Sequence, residues 1–274
     1  MASEHDGYVL ARTEDERQRL LEQARVWAPA TQRALANAGL AAGQHALDVG
    51  CGPGAVMRLM AERVGAEGRV TGTDIDAGMG RASVAALNAE GPPVFDFVDA
   101  DLAAERPLPG SYDLVFARLV LFHMNDVQAA LRRLWDAVRP GGALLVMDYD
   151  TSGIRGYPAL APVDRAMRLL NDAFRRGGRD IEAGTRLPAW FVQSGIGRPD
   201  GCVADGLVLP MRAAMPMLRG VVGSLRPLIV QTGMASAGAL DDLDAELATV
   251  AAGPAGLTHV ARIPDLVSTW KRKT

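Results

Sequence analysis

The stretch that most constrains the fold of this chain is His45–Gly54, which has the sequence HALDVGCGPG. Its first half is a short apolar run interrupted by Asp48, as at the end of a buried strand. Glycines then alternate with other residues at Gly50, Gly52 and Gly54, and apolar residues at helical spacing follow. Glycines allow a tight turn and close approach of a ligand, and a helix N-terminus offers unpaired N–H groups. The stretch therefore predicts a strand, a ligand-binding turn and a helix.

An acid follows this unit at the distance that a ribose-binding residue requires. The next apolar run, Arg69–Asp74, ends in Asp74, about 20-odd residues after the glycine turn. A carboxylate there can accept two hydrogen bonds from ribose hydroxyls. The alternative role for Asp74 is a helix cap or a turn carboxylate.

Two cofactor classes use this arrangement, and Asp48 separates them. Gly50-x-Gly52-x-x-Ala55 also fits the dinucleotide fingerprint, which allows Ala at its last position. However, a carboxylate at position 48 would lie near the pyrophosphate and repel it. S-adenosylmethionine carries no phosphate, and its ammonium and sulfonium groups are positive. Asp48 therefore favours S-adenosylmethionine over a nicotinamide dinucleotide.

The strings LDVGCGPG and TGTDID resemble motif I and the acidic loop of class I S-adenosylmethionine-dependent methyltransferases. The motif set is most similar to the ubiquinone/menaquinone-biosynthesis type and its natural-product relatives. The resemblance covers residues 8–150 well and 151–204 loosely. It is specific for the cofactor and the reaction, and unspecific for the acceptor.

The order of elements agrees with an α/β fold. Alternating strands and helices over residues 45–150 predict a largely parallel sheet, and the resemblance implies a Rossmann-like three-layer sandwich with seven strands. We expect one domain with helical additions: an N-terminal helical lid (1–44), a cofactor-binding core (45–150), and helical cap insertions with C-terminal strands of the same domain (151–274). The predicted core strands are His45–Val49, Arg69–Thr73, Val94–Asp99, Tyr112–Arg118 and Ala143–Tyr149. The RPGG string at 139–142 is interpreted as a helix stop, and Gly206–Met211 and His259–Trp270 as the last strands.

The resemblance also implies how further residues meet the cofactor. Tyr8 and Gln23 match N-terminal residues that face the cofactor pocket, and Ile75 would pack on the adenine face. Asp101 matches the acid that accepts the adenine amine, with Asp99 as its competitor. Leu102 is the adenine-facing neighbour of Asp101.

The end of the fourth strand would face the methionine part of the cofactor. The backbone of Ala117 lies there in the family. Arg118 would pair with the methionine carboxylate or with Asp48, and a structural ion pair is the alternative.

Three residues are candidates for catalysis. His123 has a pKa range that suits a general base near the transferred methyl group, and a structural hydrogen bond is the alternative. Asp148 and Tyr149, at the end of the fifth strand, are candidates to bind or deprotonate the acceptor, and a cap on the next segment is the alternative. No set of carboxylates is close enough in sequence to argue for a metal, so we expect metal-independent transfer.

Composition and the absence of certain motifs argue against several other classes of protein. The net charge is -3 with no basic stripe, and no Asn/Asp-Pro-Pro-Tyr/Phe string is present, which argues against nucleic acid as partner. Two cysteines give neither a disulfide framework nor a zinc spacing. No apolar signal region and no apolar run long enough for a membrane span are evident, so we expect a soluble, cytoplasmic protein, with a homodimer possible.

The sequence as a whole predicts methyl transfer from S-adenosylmethionine to a small molecule, such as a bacterial secondary metabolite of indole, phenol or polyketide type. An NAD-dependent oxidoreductase and a catalytically silent cofactor-binding protein are the alternatives. The residues beyond the cofactor motifs predict an enclosed, mostly apolar acceptor site roofed by Tyr8–Trp27, Tyr149–Phe174 and Met211–Val222.

Overall fold

The computed structural model describes residues 14–92, 94–104 and 106–274. Its helices are α1 (Glu14–Asn37), α2 (Ala55–Val64), α3 (Ala77–Glu90), α4 (Val127–Asp136), α5 (Ala161–Arg176), α6 (Ala183–Gln193), α7 (Met211–Gln231), α8 (Ala237–Ala252) and α9 (Pro254–Thr258). Its strands are β1 (His45–Val49), β2 (Arg69–Thr73), β3 (Phe95–Phe97), β4 (Tyr112–Arg118), β5 (Val138–Asp150), β6 (Arg155–Tyr157), β7 (Gly201–Asp205), β8 (Val208–Pro210), β9 (Val260–Arg262) and β10 (Asp265–Arg272). A short 3-10 helix, Leu121–His123, follows β4.

The chain divides into two compact units. The sheet unit comprises Leu20–Asp148, Ala183–Asp205 and Leu266–Thr274. The helical unit comprises Tyr149–Glu182, Gly206–Asp265 and the described residues 14–19. The division into 1–44, 45–150 and 151–274 stays a prediction.

The sheet unit is built on a seven-stranded sheet in the order β3-β2-β1-β4-β5-β10-β7. The neighbours β3/β2, β2/β1, β1/β4 and β4/β5 are parallel, and β10 and β7 are antiparallel. Strand order reverses at β1, since β2 and β4 lie on its two sides. The predicted Rossmann-like class with a mostly parallel seven-stranded sheet is confirmed.

Apolar residues on both faces of the sheet explain its place in the middle of this unit. One hydrophobic core contains Leu47, Val115 and Val146 from neighbouring strands, with Leu131 of α4 and Phe191 of α6. Helix α2 packs on β1 and β2 and buries its methionines and valines. Strands covered on both faces are expected to be rich in apolar residues, and the buried parts of β1, β4 and β5 are so, apart from acids such as Asp48 and Asp148.

The helical unit has a small antiparallel sheet of its own, in the order β6-β9-β8. Tyr157 of β6 and Pro210 of β8 both pair with Val260 of the central strand β9. Helices α5, α7, α8 and α9 pack with one another and with these strands. An ion pair between Arg219 and Asp244 joins α7 and α8.

The prediction of RPGG as a helix stop is wrong, because α4 already ends at Asp136 and residues 139–142 belong to β5. The pairing of β5 with β4 shifts register between Tyr112 and Leu114, and Gly141 adopts a left-handed φ of 78°. Gly141 N–H donates to the carbonyl of Lys273. A helix-terminating string therefore forms an irregular start of a strand.

Strand β3 is shorter than the predicted strand Val94–Asp99, since it comprises only Phe95–Phe97.

The closing strands of the large sheet also differ from those predicted. They are β7 and β10, whereas Val208–Pro210, within the predicted strand Gly206–Met211, pairs in the small sheet. The predicted strand His259–Trp270 is two strands, β9 and β10, in different sheets. Short strands of similar composition do not reveal their partners in the sequence.

Helix α7 corrects the expectation that no apolar run is long enough to cross a membrane. It has 21 residues and a mean hydropathy of 1.2 over an 18-residue window, of which 28% is buried. Length and composition alone would allow this helix to span. Its arginines form ion pairs with acids of α8, Arg219 with Asp244 and Arg226 with Asp241.

Candidate functional site

The predicted cofactor residues of the sheet unit gather at the carboxyl ends of β1, β2 and β4 and just after β3. Ligands of doubly wound sheets bind in the crevice at these ends, next to the point where strand order reverses. In this sheet that point is β1, which carries Asp48 and leads into the glycine turn.

The glycine turn depends on backbone conformations that other residues adopt at a cost. Gly50, Gly52 and Gly54 have φ values of 73°, 49° and 78°. A Cβ at position 50 would lie 2.5 Å from Cγ2 of Val120, and one at position 54 would lie 2.9 Å from Cδ1 of Leu87. A Cβ at position 52 would have no atom within 4 Å. The turn is therefore packed at its two ends and open at its centre, where a ligand has room to approach the backbone.

Asp74 is held against this turn by hydrogen bonds from the backbone. Its Oδ2 accepts from the N–H of Gly52 at 2.8 Å, and its Oδ1 accepts from the N–H of Asp76 at 2.8 Å. These two bonds fix the orientation of the carboxylate beside the turn. Asp76, by contrast, caps α3 by accepting from Met79. The geometry of Asp74 suits a clamp for a ribose at the centre of the turn.

Ile75, beside this clamp, exposes an apolar side chain. It is 44% exposed, which is unusual for a residue flanked by half-buried neighbours. An exposed aliphatic side chain at a strand end offers a flat apolar surface, as the predicted packing on adenine requires.

The segment after β3 separates Asp101 from its competitor. Asp101 is half-buried, and its Oδ1 accepts from the N–H of Ala103 at 2.8 Å. Asp99 is exposed and lies 3.4 Å from Arg81 in an ion pair. Leu102 is buried in the hydrophobic core that also contains Ala117. The adenine contacts of Asp101 and Leu102 stay predictions.

Asp48 has the most perturbed environment among these residues. It is 2% exposed, and its Oδ2 has no hydrogen-bond partner among the residues that the structure describes. The pKa of Asp48 is raised to about 7, mainly by burial; the positive charge of Arg118 opposes the rise, and the negative charge of Asp74 adds to it. The same burial raises the pKa of the Cys51 thiol in the turn, so Cys51 is a small buried side chain with no thiolate character. A buried acid without a partner is expected to be compensated by a ligand of positive charge.

Arg118 is held by helix α1. Its Nη1 donates to Oγ1 of Thr31 at 3.0 Å, and this hydroxyl donates to the carbonyl of Trp27. Gln23, Trp27 and Thr31 are four residues apart, so they lie along one face of α1, and all three are buried. This places the predicted pocket residue Gln23 two turns before the partner of Arg118. The other predicted N-terminal residue, Tyr8, lies outside the described residues.

The three catalytic candidates have different surroundings. His123 ends the 3-10 helix after β4, is half-buried, and its ring lies edge-to-face with Phe122 at 5.3 Å. Asp148 is 0% exposed, and its Oδ2 accepts from the N–H of Phe122 at 2.9 Å. Tyr149 is half-buried and is the first residue of the segment Tyr149–Glu182 of the helical unit. The catalytic roles of these residues stay predictions, and complete burial of Asp148 supports a different role, which is argued below.

Leu119 is a residue that the sequence did not single out. Its φ is 59°, and it is the only residue other than glycine with a positive φ in the described part of the chain. Its N–H donates to the carbonyl of Met147 at 2.8 Å. A leucine in the left-handed region is strained, and such strain collects at functional sites. No sequence signal marks it, because leucine ordinarily avoids this conformation.

The helical unit contains a separate small crevice between α7 and α8. Its lining includes Val222, Leu240 and Leu247, with the paired Arg219 and Asp244 at its side. None of the predicted cofactor or catalytic residues lines it. Among the described residues, no three His, Cys, Asp or Glu side chains are placed to hold a metal ion.

A Rossmann-like sheet, a glycine turn after its first strand and an acid after its second define a protein of the nucleotide-cofactor-binding class. Comparison with known proteins narrows this class. Residues 47–146 match the model of a family described as a methyltransferase domain. A trans-aconitate 2-methyltransferase from Paracidovorax citrulli is 38% identical over 113 residues, which are 41% of each chain. A ubiquinone/menaquinone biosynthesis C-methyltransferase from Stenotrophomonas maltophilia is 34% identical over 116 residues, 42% of this chain and 46% of that protein.

The fold of the whole chain has a solved counterpart in the YcgJ protein from Bacillus subtilis. The TM-score is 0.57 at 17% identity, over 90% of this chain and 100% of that protein. The chain matches less than half the length of the two curated relatives above. Residues 47–146 are therefore similar to a methyltransferase domain.

Proposed function

We propose that this protein binds S-adenosylmethionine at the carboxyl ends of β1–β4 and transfers its methyl group to a small molecule. The observation that carries the proposal is the buried carboxylate of Asp48, whose Oδ2 has no partner beside the glycine turn. A positively charged ligand group is the compensation that such a carboxylate requires. When bound, the cofactor supplies a methyl group that is already activated on a positive sulfur.

The remaining residues of the sheet unit are assigned by their geometry. Asp74 would accept hydrogen bonds from ribose hydroxyls, since its orientation is fixed by Gly52 and Asp76. Ile75 would cover one face of the adenine. Arg118, held by Thr31, would bind the methionine carboxylate. The proposed cofactor-binding set is Tyr8, Gln23, Asp48, Gly50, Gly52, Gly54, Asp74, Ile75, Asp101, Leu102, Ala117 and Arg118.

The acceptor is proposed to be a small molecule of a bacterial secondary pathway, of indole, phenol or polyketide type. The relatives named above act on small molecules by their names, a tricarboxylate and quinones. Metal-independent transfer, a cytoplasmic location and absence of nucleic acid partners belong to the same proposal. The enclosed acceptor site also stays a prediction, since part of it lies outside the described residues.

Calorimetry with three ligands tests which cofactor the protein binds. S-adenosylmethionine and S-adenosylhomocysteine are expected to bind, and NAD is not. Asp48→Asn is expected to lower the affinity for S-adenosylmethionine and S-adenosylhomocysteine, because it removes the negative charge that compensates their ammonium group. Tight binding of NAD without binding of either sulfur ligand would make the oxidoreductase alternative correct.

Transfer of a labelled methyl group tests the acceptor. A panel of indoles, phenols, polyketides, quinones and tricarboxylates is compared with an oligonucleotide and a denatured protein mixture. Label is expected in at least one small molecule and in neither macromolecule. Incorporation into a macromolecule alone would contradict the proposed acceptor class, and cofactor binding without any transfer would favour a silent cofactor-binding protein.

His123 is proposed as the general base near the acceptor. If it removes a proton, His123→Gln should reduce turnover by roughly 10²–10⁴-fold and leave the affinity for S-adenosylhomocysteine unchanged. A reduction below about fivefold would assign His123 to its packing against Phe122.

A further inference from the structure

We infer that Asp148 is a positioning residue, which holds the turn after β4 against the glycine turn and thereby sets the affinity for the cofactor. The inference rests on the proposed function and assigns Asp148 a role other than contact with the acceptor. It is carried by the hydrogen bond between Asp148 and Phe122 and by the packing of Val120 on Gly50.

The turn after β4 is fixed to β5 at two points. The N–H of Leu119 donates to the carbonyl of Met147 at 2.8 Å, and the N–H of Phe122 donates to Oδ2 of Asp148 at 2.9 Å. These donors lie on the two sides of Val120, and their acceptors, Met147 and Asp148, are consecutive residues of β5. The first anchor continues the pairing of the two strands, whereas the second depends on a side chain.

The second anchor holds a turn in a conformation that it would not keep alone. Leu119 has a φ of 59°, in the left-handed region that is unfavourable for a leucine. Such a conformation persists only where surrounding bonds determine it. The N–H of His123 donates to the carbonyl of Val120. Because both groups belong to the turn, this bond does not fix the turn to the sheet. Asp148 is therefore the side chain that ties the turn to the sheet.

The glycine turn is in contact with the held segment. Cγ2 of Val120 lies 2.5 Å from the point where a Cβ on Gly50 would be. Val120 therefore packs against the glycine turn at Gly50, two residues after Asp48. If the turn after β4 is released, Val120 moves away from Gly50, and the backbone that approaches the cofactor loses its support.

Complete burial makes Asp148 suited to this role and unsuited to acceptor chemistry. With 0% exposure, its carboxylate is out of reach of a ligand, and an N–H bonded to it would be left unsatisfied by an apolar substitution. Asparagine keeps an oxygen acceptor of the same reach, and alanine removes it.

The test measures the affinity for S-adenosylhomocysteine by calorimetry in Asp148→Ala and Asp148→Asn. Loss of a buried hydrogen bond to a charged acceptor is expected to raise the dissociation constant of the alanine variant at least about tenfold. The asparagine variant is expected to bind within about threefold of the wild type. The matched control is Asp150→Ala, which removes a second buried acid of β5 whose Oδ1 accepts bonds from the N–H and the hydroxyl of Ser152. The control is expected to keep the affinity even where its thermal stability falls.

Other outcomes have distinct meanings. Wild-type affinity in Asp148→Ala would overturn the inference and leave Asp148 a part of the scaffold. Loss of turnover in Asp148→Asn with full affinity would make it a catalytic base instead. If the alanine variant does not fold, Asp148→Asn and Val120→Ala decide the matter, since the first is expected to keep the affinity and the second to weaken it. The wild type is measured first, so a failure of the proposed function appears as absence of binding before any variant is compared.

Discussion

In the protein without ligand, ionisation of the buried acid Asp48 is unfavourable in free energy. Its carboxylate is buried, and its pKa of about 7 lies above the ordinary 3.8 because of burial and of Asp74, against the opposing charge of Arg118. The folded protein therefore binds this proton more tightly than the unfolded chain. The contribution of the protonated form to stability is complete below about pH 4 and is lost as pH rises through about 7, by roughly 4 kcal/mol in total.

Asp48→Asn is expected to flatten this dependence. Denaturant unfolding between pH 5 and pH 8 should show a falling free energy of unfolding in the wild type and a smaller fall in the variant. The affinity of the wild type for S-adenosylhomocysteine should rise over the same interval, because ionised Asp48 attracts the ammonium group of the ligand. Parallel pH profiles of wild type and variant would show that Asp48 does not titrate there.

Asp74→Ala is expected to raise the dissociation constant of S-adenosylhomocysteine at least about tenfold, because charge-assisted hydrogen bonds contribute about 1.5–3 kcal/mol each. Asp96→Ala is the matched control, since Asp96 is an exposed acid on β3 in an ion pair of 3.3 Å with Arg69. Calorimetry on folded protein should show a loss of affinity for the first variant only. Equal affinities in both variants would remove Asp74 from the cofactor site.

At the scale of the element, helix α2 lies between two glycines that offer a matched pair. Gly52 precedes it and Gly65 ends it, with φ values of 49° and 67°, and a Cβ at either position would meet no atom within 4 Å. Alanine at either site should cost about 1 kcal/mol of stability from backbone strain alone.

The two alanine variants are expected to differ in ligand binding. Gly52→Ala places a methyl group in the open centre of the turn and should lower the affinity for S-adenosylhomocysteine, whereas Gly65→Ala should leave this affinity unchanged. Thermal unfolding and calorimetry on both variants check this. Similar affinities in the two variants would mean that the ligand does not approach the backbone at Gly52.

At the scale of the whole molecule, ligand binding is linked to folding. A ligand of the native state at 100 times its dissociation constant stabilises that state by about 2.7 kcal/mol. S-adenosylhomocysteine at that concentration is therefore expected to raise the free energy of unfolding by about this amount, and NAD at the same concentration to leave it unchanged. Denaturant unfolding with each ligand measures both effects, and stabilisation by NAD alone would contradict the proposed cofactor.

The sequence by itself determined the parts of the protein that depend on local order along the chain. β1, the glycine turn, α2 and β2 follow one another within about thirty residues, so apolar periodicity and glycine spacing were sufficient to place them. Because parallel strands end at one edge of a sheet, the position of Asp48 and Asp74 at the site also followed. Residues whose function is set by position in a repeating βα unit are accessible to such an argument.

Only the tertiary structure decided the features that arise from residues far apart in the chain. The free Oδ2 of Asp48, the bond between Arg118 and Thr31, and the bond from Phe122 to Asp148 each join different elements. The left-handed Leu119 and the placement of RPGG in β5 are likewise imposed by partners on neighbouring strands, against the local preference of the residues. Local propensities are small compared with burial and hydrogen bonding across the sheet, so long-range contacts prevailed wherever the two disagreed.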